Sequence, residues 1–446
     1  MTKHLRHTTT LRLSNMRRDV NMYWEKPRVK FNTSTMRWNM RSGTAKALGL
    51  VLVAGVSLAA CTSGGQSGTG GATDTGSAAT GTSVKVVLTS TFSSATATNV
   101  YPEVQGAVQA RVDAFNNAGG AHGHPIDLIV CNDQGEANVA SDCAQQAVTQ
   151  KAVAMIGVKD TFGAQIIPVL QAAGIPYVAD SYVPSDTQAS NAFMLDGSQV
   201  TYPAVAQLLA QSGCKKAAVT AVDTPGGHIA APEAQKVIES HGVQVVAVQY
   251  LPAIVPDYSS TVSGLLSKGM DCLEPLSGSA EVEKFMTALH QSGANVKVFG
   301  ASAAFTPQVV SQLGPIAEGV KVLSFADDDT PQAKAAAAEI KEYAGNNAEI
   351  SDDALLGWAY TKILLDATNT ITGDITAKSV LQALASLKTV NTGILPPINF
   401  TINYGFKDYP RYWTYQMFEY TVQNGKLVLD QPNPINVLPA VKTALG

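Results

Sequence analysis

Beyond Val84 the chain alternates short apolar runs, which are typical of buried strands, with segments whose apolar residues recur at helical spacing. In the first such segment, from Tyr101 to Ala118, Val104, Val108 and Phe115 share one helical face, and the Gly-rich stretch after it ends the helix. The first four apolar runs are VKVVLTSTF, HPIDLIVCND, AVAMIGV and IPYVADS. This order predicts parallel strands with helices on both faces of the sheet.

A second series of the same kind follows, with the apolar runs KKAAVTAV, VQVVAVQYL, MDCLEPL and VKVFGAS. The two series together span about 360 residues, which is more than one hydrophobic core usually holds. We therefore expect an α/β fold with two doubly wound, Rossmann-like lobes joined by hinge strands. The helical segments beyond GVKVLSFA could cover the first lobe, and the run RYWTYQMFEYTVQNGKLV predicts antiparallel strands near the end of the chain.

An uncharged apolar run from Ala47 to Ala60 ends at Cys61. As a helix it would reach about 21 Å, which is short of the roughly 30 Å hydrocarbon core of a bilayer. Basic residues precede the run, so residues 1–60 fit a secretory signal peptide with an N-terminal extension ahead of a start at Met36 or Met40. The sequence LAAC resembles the bacterial lipobox, in which the cysteine thiol is lipidated. We therefore expect Cys61 to carry the lipid.

Residues 61–83 are dominated by Gly, Ser and Thr and predict a flexible tether whose ends lie about 25 Å apart. Beyond residue 46 the chain holds 33 acidic and 20 basic residues, and its only arginines are Arg111 and Arg411. Without a basic patch there is little to neutralise phosphates, so we expect no nucleic-acid partner.

Four cysteines follow Cys61, as suits an exported protein. Cys131 ends an apolar run and Cys143 lies in the next helical segment, whereas Cys214 and Cys272 each stand at the start of a later strand. We expect the disulfides Cys131–Cys143 and Cys214–Cys272, with buried free thiols as the alternative. The sequence has no C-x-x-C motif, and we expect neither a metal nor a cofactor.

A family resemblance rests on GAVQARVDAFNNAGGAHGHPIDLIVCNDQGEANVASDCAQQAV, followed by AVAMIGV and QAAGIPYV. These segments resemble the first lobe of the type I periplasmic binding proteins, the group that includes branched-chain amino-acid-binding (Leu/Ile/Val-binding-like) subunits of ABC importers. The resemblance implies a clamp of two lobes, with three hinge crossings, that closes on a small solute. Its expected limits are residues 84–195 with 325–402 for lobe 1, 196–324 with 403–430 for lobe 2, and 431–446 for a C-terminal tail.

Ligands of open α/β sheets bind beyond the carboxyl ends of the strands, which places the site between the lobes. Backbone N–H groups and Thr161 at the start of a helix could receive a carboxylate, with Lys159 adding charge and Asp160 taking an ammonium group. The alternative is that Asp160 or Thr161 only caps the helix. The residues that we expect to contact the ligand are Ser94, Thr96, Lys159, Asp160, Thr161, Phe162, Ser181, Tyr182, Asp223, Ser277, Ser302 and Phe305.

The second lobe departs from the family's amino-acid binders. These binders carry an acidic residue just after the strand that corresponds to VKVFG, where this chain has ASAAF, and an aromatic residue in the loop that is DTPGGH here. An uncharged, anionic or aromatic solute is therefore an alternative to an amino acid, and Phe305 could contact an apolar part of such a solute.

The function expected from these features is that of an extracytoplasmic solute-binding subunit, lipid-anchored to the outer face of the bacterial cell membrane. Its partners would be a small solute and the permease and ATPase subunits of an ABC importer, and we expect a monomer. A receptor-like sensor that signals to a membrane partner is the alternative. We expect no catalytic residues, because no nucleophile and base appear together in a recognisable motif.

Overall fold

Two separate sheets contain the apolar runs of the sequence. The computed structural model describes residues 78–95, 97, 99–252 and 255–446. The strands are β1 (Val84–Ser90), β2 (Ile126–Asn132), β3 (Ala154–Gly157), β4 (Tyr177–Ser181), β5 (Ala192–Gly197), β6 (Lys216–Val222), β7 (Gln244–Leu251), β8 (Cys272–Leu276), β9 (Lys297–Ala301), β10 (Lys321–Ser324), β11 (Gln416–Gln423), β12 (Lys426–Leu429) and β13 (Ile435–Asn436).

The first sheet has the strand order β2-β1-β3-β4-β5, and all its strand pairs are parallel. Strand β1 shows why the sequence reads as an unbroken apolar run: Val86 and Leu88 face one hydrophobic core, while Val87 faces another. Helices cover both faces, as parallel sheets require. We call this sheet with its helices the first lobe.

The second sheet has the order β12-β11-β10-β9-β8-β6-β7, with β13 paired to β11. Strands β6 to β10 are parallel neighbours, whereas β11 is antiparallel to β10, β12 and β13. This confirms the antiparallel end that the sequence predicts. We call this sheet with its helices the second lobe, and the two-lobed α/β fold is thereby confirmed.

The helices are α1 (Pro102–Asn117), α2 (Ala137–Thr149), α3 (Gly163–Ala173), α4 (Pro184–Gln188), α5 (Ser198–Gln211), α6 (Pro225–Ser240), α7 (Ser259–Ser267), α8 (Ser279–Gln291), α9 (Pro307–Leu313), α10 (Pro331–Ala344), α11 (Asp352–Asn369), α12 (Ala377–Ser386) and α13 (Leu438–Leu445). Helices α10 and α11 pack against α1, so the late helical segments do cover the first lobe. Helix α13, in the segment expected to be a tail, packs against α5 and α6 of the second lobe. Among the described residues, no helix is long and apolar enough to cross a membrane.

The chain passes between the lobes after β5, after β10 and before β11. An aromatic cluster lies where the chain segment before β11 runs beside β5: the Phe193 and Trp413 rings stack at 5.6 Å, and Phe400 meets both edge-on. The Arg411 guanidinium lies over Phe193 and Trp413 at 5.2 and 5.0 Å, and its Nε donates to the Ala192 carbonyl. These cation–π contacts hold the segment of the third crossing against β5, the edge strand of the first sheet.

Both expected disulfides are confirmed. Cys131–Cys143 joins β2 to α2, with 5.7 Å between the Cα atoms, and Cys214–Cys272 joins the starts of β6 and β8, with 6.0 Å. Cys214 and Cys272 also lie within 4.8 Å of an Asp271 carboxylate oxygen, but their sulfur atoms are bonded to each other and so are not metal ligands. Cys61, the expected signal peptide and most of the expected tether lie outside the described residues.

Candidate ligand-binding cleft

The carboxyl ends of β1, β3 and β4 bring buried polar residues together at one edge of the first sheet. The parallel register places Thr89 opposite Gly157, and therefore Thr91 near the Lys159–Asp160 pair that follows β3. On β4, Asp180 lies opposite Asp196 of β5. This edge faces the second lobe, as expected for the ligand site of an open α/β sheet.

Lys159 lies at the centre of this edge, and its side chain is only 9% exposed. Its ammonium is 2.7 Å from Asp196 and 3.4 Å from Asp353, while its backbone N–H donates to Asp180. Burial alone would lower the pKa of Lys159, but the charges of Asp196, Asp353 and Asp180 outweigh it and hold the pKa well above its ordinary value. Lys159 is thus a cation already engaged by carboxylates.

The Asp180 carboxylate receives a second hydrogen bond, from the Tyr360 hydroxyl at 2.5 Å. Burial raises the pKa of Asp180 to about 7, and the Lys159 charge opposes that shift. Burial likewise raises the pKa of Asp353. With three carboxylates around one ammonium, the cluster carries an excess of negative charge whenever all its members are ionised.

Asp160 and Asp133 form a second group of buried acids at this edge. One Asp160 oxygen accepts the backbone N–H of Phe162 at 2.8 Å, just before α3 begins, but no side chain caps that helix, so the capping alternative is not supported. Asp133 accepts from the Thr91 hydroxyl at 2.6 Å and from the Gly135 N–H. Burial, together with the Asp133 charge, raises the pKa of Asp160 to about 7.

Three half-buried tyrosines lie near the Lys159 cluster: Tyr101 from the loop after β1, Tyr182 from the loop after β4, and Tyr202 from α5. Burial is the first cause that raises the pKa of each, and the charges of Lys159 and its carboxylates act on all three hydroxyls. The tyrosines therefore come from both lobes and lie near the same charged group.

The lobes approach each other at the ends of β1 and β8. A Cβ atom placed on Gly278 would lie 2.9 Å from the side-chain amide of Asn99, which is in the loop after β1. A second approach lies beside the hinge, where the Ser324 hydroxyl donates to Asp352 at 2.9 Å. Burial raises the pKa of Asp352 to about 6, and the hydroxyls of Ser302 and Ser324 act in the opposite direction.

The structure brings together many of the residues expected at the site. Lys159, Asp160, Ser181, Tyr182, Ser277 and Ser302 lie at strand ends that face the cleft, and Ser94 accepts the Ala97 N–H in the loop after β1. Thr161 is exposed and Phe162 half-buried just before α3. Thr96 lies outside the described residues.

Phe305, Asp223 and Lys159 have surroundings that the sequence analysis did not predict. Phe305 is fully buried in the core of the second lobe, with its ring packed over Gly300, and so does not reach the cleft. The Asp223 side chain is 61% exposed and its carboxylate contacts His228 at 2.7 Å at the edge of α6. Lys159, expected as a free charge for a carboxylate, is occupied by protein acids instead.

The sequence analysis missed four residues near the Lys159 cluster, namely Tyr101, Asp196, Tyr202 and Asp353, and it did not single out Glu274, a fully buried acid of β8. Glu274 had a visible signal, since it is an acidic residue inside the apolar run MDCLEPL. The others had none, because the contacts that bring them together join distant parts of the chain.

A family model described as periplasmic binding protein matches residues 83–417. No curated protein sequence matches the chain significantly. Among solved structures, a branched-chain amino acid ABC transporter protein from Thermus thermophilus with bound valine is similar at 17% identity, with a TM-score of 0.73 over 83% of this chain and 100% of that one.

Two further structures are similar in the same way. A solute-binding protein from R. palustris in complex with 4-hydroxybenzoate has 18% identity and a TM-score of 0.67, over 79% of this chain and 97% of that one. A fatty acid ABC transporter substrate-binding protein from Thermomonospora curvata has 15% identity and a TM-score of 0.71, over 83% and 97%.

At these identities the structural likeness shows the fold alone, whereas the family model covers most of the chain. The family consists of binding proteins and not of enzymes, in agreement with the expected absence of a catalytic motif. The match also confirms the resemblance found in the sequence. The chain belongs to the periplasmic binding protein family.

Proposed function

We propose that the chain is the extracytoplasmic solute-binding subunit of an ABC importer, which captures a small organic solute between its lobes and delivers it to a permease. The observation that carries the proposal is the convergence of buried polar residues and half-buried tyrosines from both lobes on one cleft, around Lys159. Ligand sites combine apolar walls with a few placed polar groups in this way.

Closure of the lobes is the step that would couple binding to transport. A solute that contacts both lobes favours the closed arrangement by its differential affinity, and a permease can then recognise that arrangement. The approach of Asn99 to Gly278 supports closure at this edge. Of the three similar structures, one contains valine, one contains 4-hydroxybenzoate, and the third belongs to a protein named for fatty acids. The fold therefore accommodates several solute classes.

The proposal is tested by measuring the Tm of the purified full chain with and without each member of a panel of solutes. The panel contains amino acids, amines, benzoates, fatty acids and polyols. A solute at 100 times its Kd stabilises a protein by about 2.7 kcal/mol. A rise of a few degrees in Tm is expected for a domain of this size. A panel without any shift, or chemical conversion of a bound solute, would contradict the proposal.

We further propose that Cys61 carries the lipid that holds the protein at the outer face of the cell membrane. The Cys61→Ser variant should be found in the soluble fraction of a producing bacterium, whereas the unsubstituted chain sediments with membranes. Equal sedimentation of both would contradict lipid anchoring.

A further inference from the structure

Asp352 is a carboxyl of the first lobe whose hydroxyl partners belong to the second lobe. It lies in the first turn of α11, which packs against α1 and β4, and it is only 7% exposed. Its Oδ2 accepts the Ser324 hydroxyl at the end of β10, and the Ser302 hydroxyl after β9 also stabilises its charged form. The Ser302 N–H donates to the Leu323 carbonyl, which fixes both serines on one sheet edge. Separation of the lobes would therefore replace these partners of Asp352 by water.

The charges around Asp352 are negative. Those that act on it most are Asp328, in the crossing after β10, and Asp353, the next residue of α11. The Lys159 ammonium is 3.4 Å from Asp353 and is shared with Asp196. Among the described residues, no basic side chain forms an ion pair with Asp352. Asp352 is thus a buried carboxyl without a counter-ion of its own.

The other ionisable groups of this region are acids and one phenol. The Tyr420 hydroxyl of β11 donates to Asp327 at 3.3 Å and to Asp328 at 3.5 Å. On the opposite side, Glu103 of α1 accepts from Ser351, the N-cap of α11, at 3.2 Å, and this contact lies within the first lobe. A carboxylate enclosed by such groups is neutralised most readily by a proton.

The sign of the coupling follows from what surrounds Asp352 in each arrangement. With the lobes together, burial raises the pKa of Asp352 to about 6. With the lobes apart, the carboxyl meets water and its pKa returns toward its ordinary value of about 4. Protons favour the arrangement with the higher pKa, fully below about pH 4, and this advantage is lost as the pH rises through about 6. Acid therefore favours closure.

Two other buried acids of this edge do not respond to closure in this way. Burial also raises the pKa of Asp160 and of Asp180 to about 7. Their hydrogen-bond donors, however, are the Phe162 N–H and the Tyr360 hydroxyl, which both belong to the first lobe. Movement of the second lobe leaves these contacts in place.

We propose that closure of the lobes is coupled to the uptake of a proton by Asp352, so that mild acid favours the closed arrangement and tighter solute binding. The inference rests on the proposed function, because the same closure captures the solute. The proton comes from the solvent, forms an O–H bond on the Asp352 carboxylate, and returns to the solvent when the lobes open. Asp352 is a positioning residue and does not contact the solute.

The separation of the lobes at pH 5 and pH 8 tests the proposal. Spin labels are placed on Asn138→Cys of α2 and Gln308→Cys of α9, which are exposed positions on different lobes, in a full chain with Cys61→Ser. Pulsed electron paramagnetic resonance then gives the distance between the labels. It is measured without solute and with L-valine, choline and benzyl alcohol, whose charges do not change between these pH values.

The ratio of closed to open molecules is expected to be about tenfold higher at pH 5 than at pH 8, as a change in pKa from about 4 to about 6 requires. Equal distance distributions at the two pH values would overturn the proposal. A larger closed fraction at pH 8 would also overturn it.

Asp352→Asn keeps an oxygen for the Ser324 hydroxyl but cannot take up the proton. Its closed fraction should differ by less than about twofold between pH 5 and pH 8. Asp366→Asn is the matched control, because Asp366 lies on the same helix as a surface carboxylate paired with Lys362, and it should keep the tenfold change. Retention of the full change in Asp352→Asn would overturn the proposal.

A second variant keeps the proposal testable if Asp352→Asn does not fold. The Ser302 hydroxyl lowers the pKa of Asp352, so Ser302→Ala should move the midpoint of the pH-dependent closure to higher pH. A purely structural role of Asp352 would leave that midpoint where it is, and an unmoved midpoint would overturn the proposal.

The outcomes separate this inference from the proposed function. A rise in Tm with a solute of the thermal panel, without pH-dependent closure, would leave the solute-binding function intact and overturn the coupling to a proton. Closure that depends on pH and on Asp352, without a rise in Tm for any solute, would support the coupling and count against solute capture.

Discussion

The ammonium of Lys159 lies 2.7 Å from the carboxylate of Asp196, and this ion pair joins the end of β3 to the strand from which the chain leaves the first lobe. Asp353, at the start of α11, adds a second carboxylate at 3.4 Å. Three elements of the first lobe are thus held together beside the hinge by a single side chain.

Replacement of Lys159 by Met should destabilise the protein by about 3–5 kcal/mol, because it leaves buried carboxylates without their counter-ion. Urea unfolding measures this change. Lys334→Met is the matched control: Lys334 contacts Asp329 at 2.6 Å, but its side chain is 64% exposed. Such a surface pair contributes no more than about 1 kcal/mol. Equal effects of the two variants would refute the role given to the Lys159 cluster.

Stability should fall as the pH rises through about 7, because the pKa of Asp160 is raised to about 7 by burial and by Asp133. A carboxyl whose pKa is higher in the folded state stabilises the fold fully below its unfolded pKa, near 4, and loses that contribution as pH passes the folded value. Asp160→Asn should therefore reduce the loss of stability between pH 5 and pH 8, as measured by urea unfolding at both values.

The Asn side chain keeps the oxygen that accepts the Phe162 N–H, so this variant isolates the charge. Asp366→Asn, at a surface carboxylate paired with Lys362, serves as the control and should keep the original pH dependence. A steeper loss of stability in Asp160→Asn would contradict the assignment.

Removal of the two disulfides should have unequal costs. Cys214–Cys272 closes a loop with a sequence separation of 58, and Cys131–Cys143 one of 12. Loop-closure entropy predicts losses of about 4 and about 3 kcal/mol for the paired Cys→Ala variants. Urea unfolding of the two double variants compares them, and a larger loss for the shorter loop would contradict the entropic account.

Gly278→Val should weaken solute binding by about tenfold, since overpacking typically costs 1–3 kcal/mol and the new side chain would meet Asn99 across the cleft. Calorimetry with a solute found in the thermal screen measures the effect. Gly264→Ala is the control, because a Cβ atom there has nothing within 4 Å. Unaltered binding by Gly278→Val would show that closure does not require this approach.

The sheets were predictable because the alternation of apolar and helical segments is a local signal. Val86 to Leu88 read as continuous apolar sequence since both faces of β1 are buried. The disulfides were predictable for a similar reason, because Cys214 and Cys272 each lie at the start of a strand and those strands, β6 and β8, are neighbours in the second sheet.

The site was predictable only in part. The rule that ligands bind at strand ends located Lys159 and Tyr182, but the partners of Lys159 come from β5 and α11, and no local pattern announces such contacts. Phe305 was assigned to the cleft from its place after β9, yet the turn there folds its ring back over Gly300. Side-chain direction in a loop depends on tertiary packing, which the sequence pattern does not encode.

The disulfides have a consequence for movement as well as for stability. Cys131–Cys143 lies wholly within the first lobe and Cys214–Cys272 wholly within the second, so neither covalent bond spans the hinge. Oxidation therefore stiffens each lobe as a body and leaves the rotation of one lobe against the other unrestricted. Reduction of both disulfides would therefore loosen each lobe internally and would leave the three crossings between the lobes unchanged.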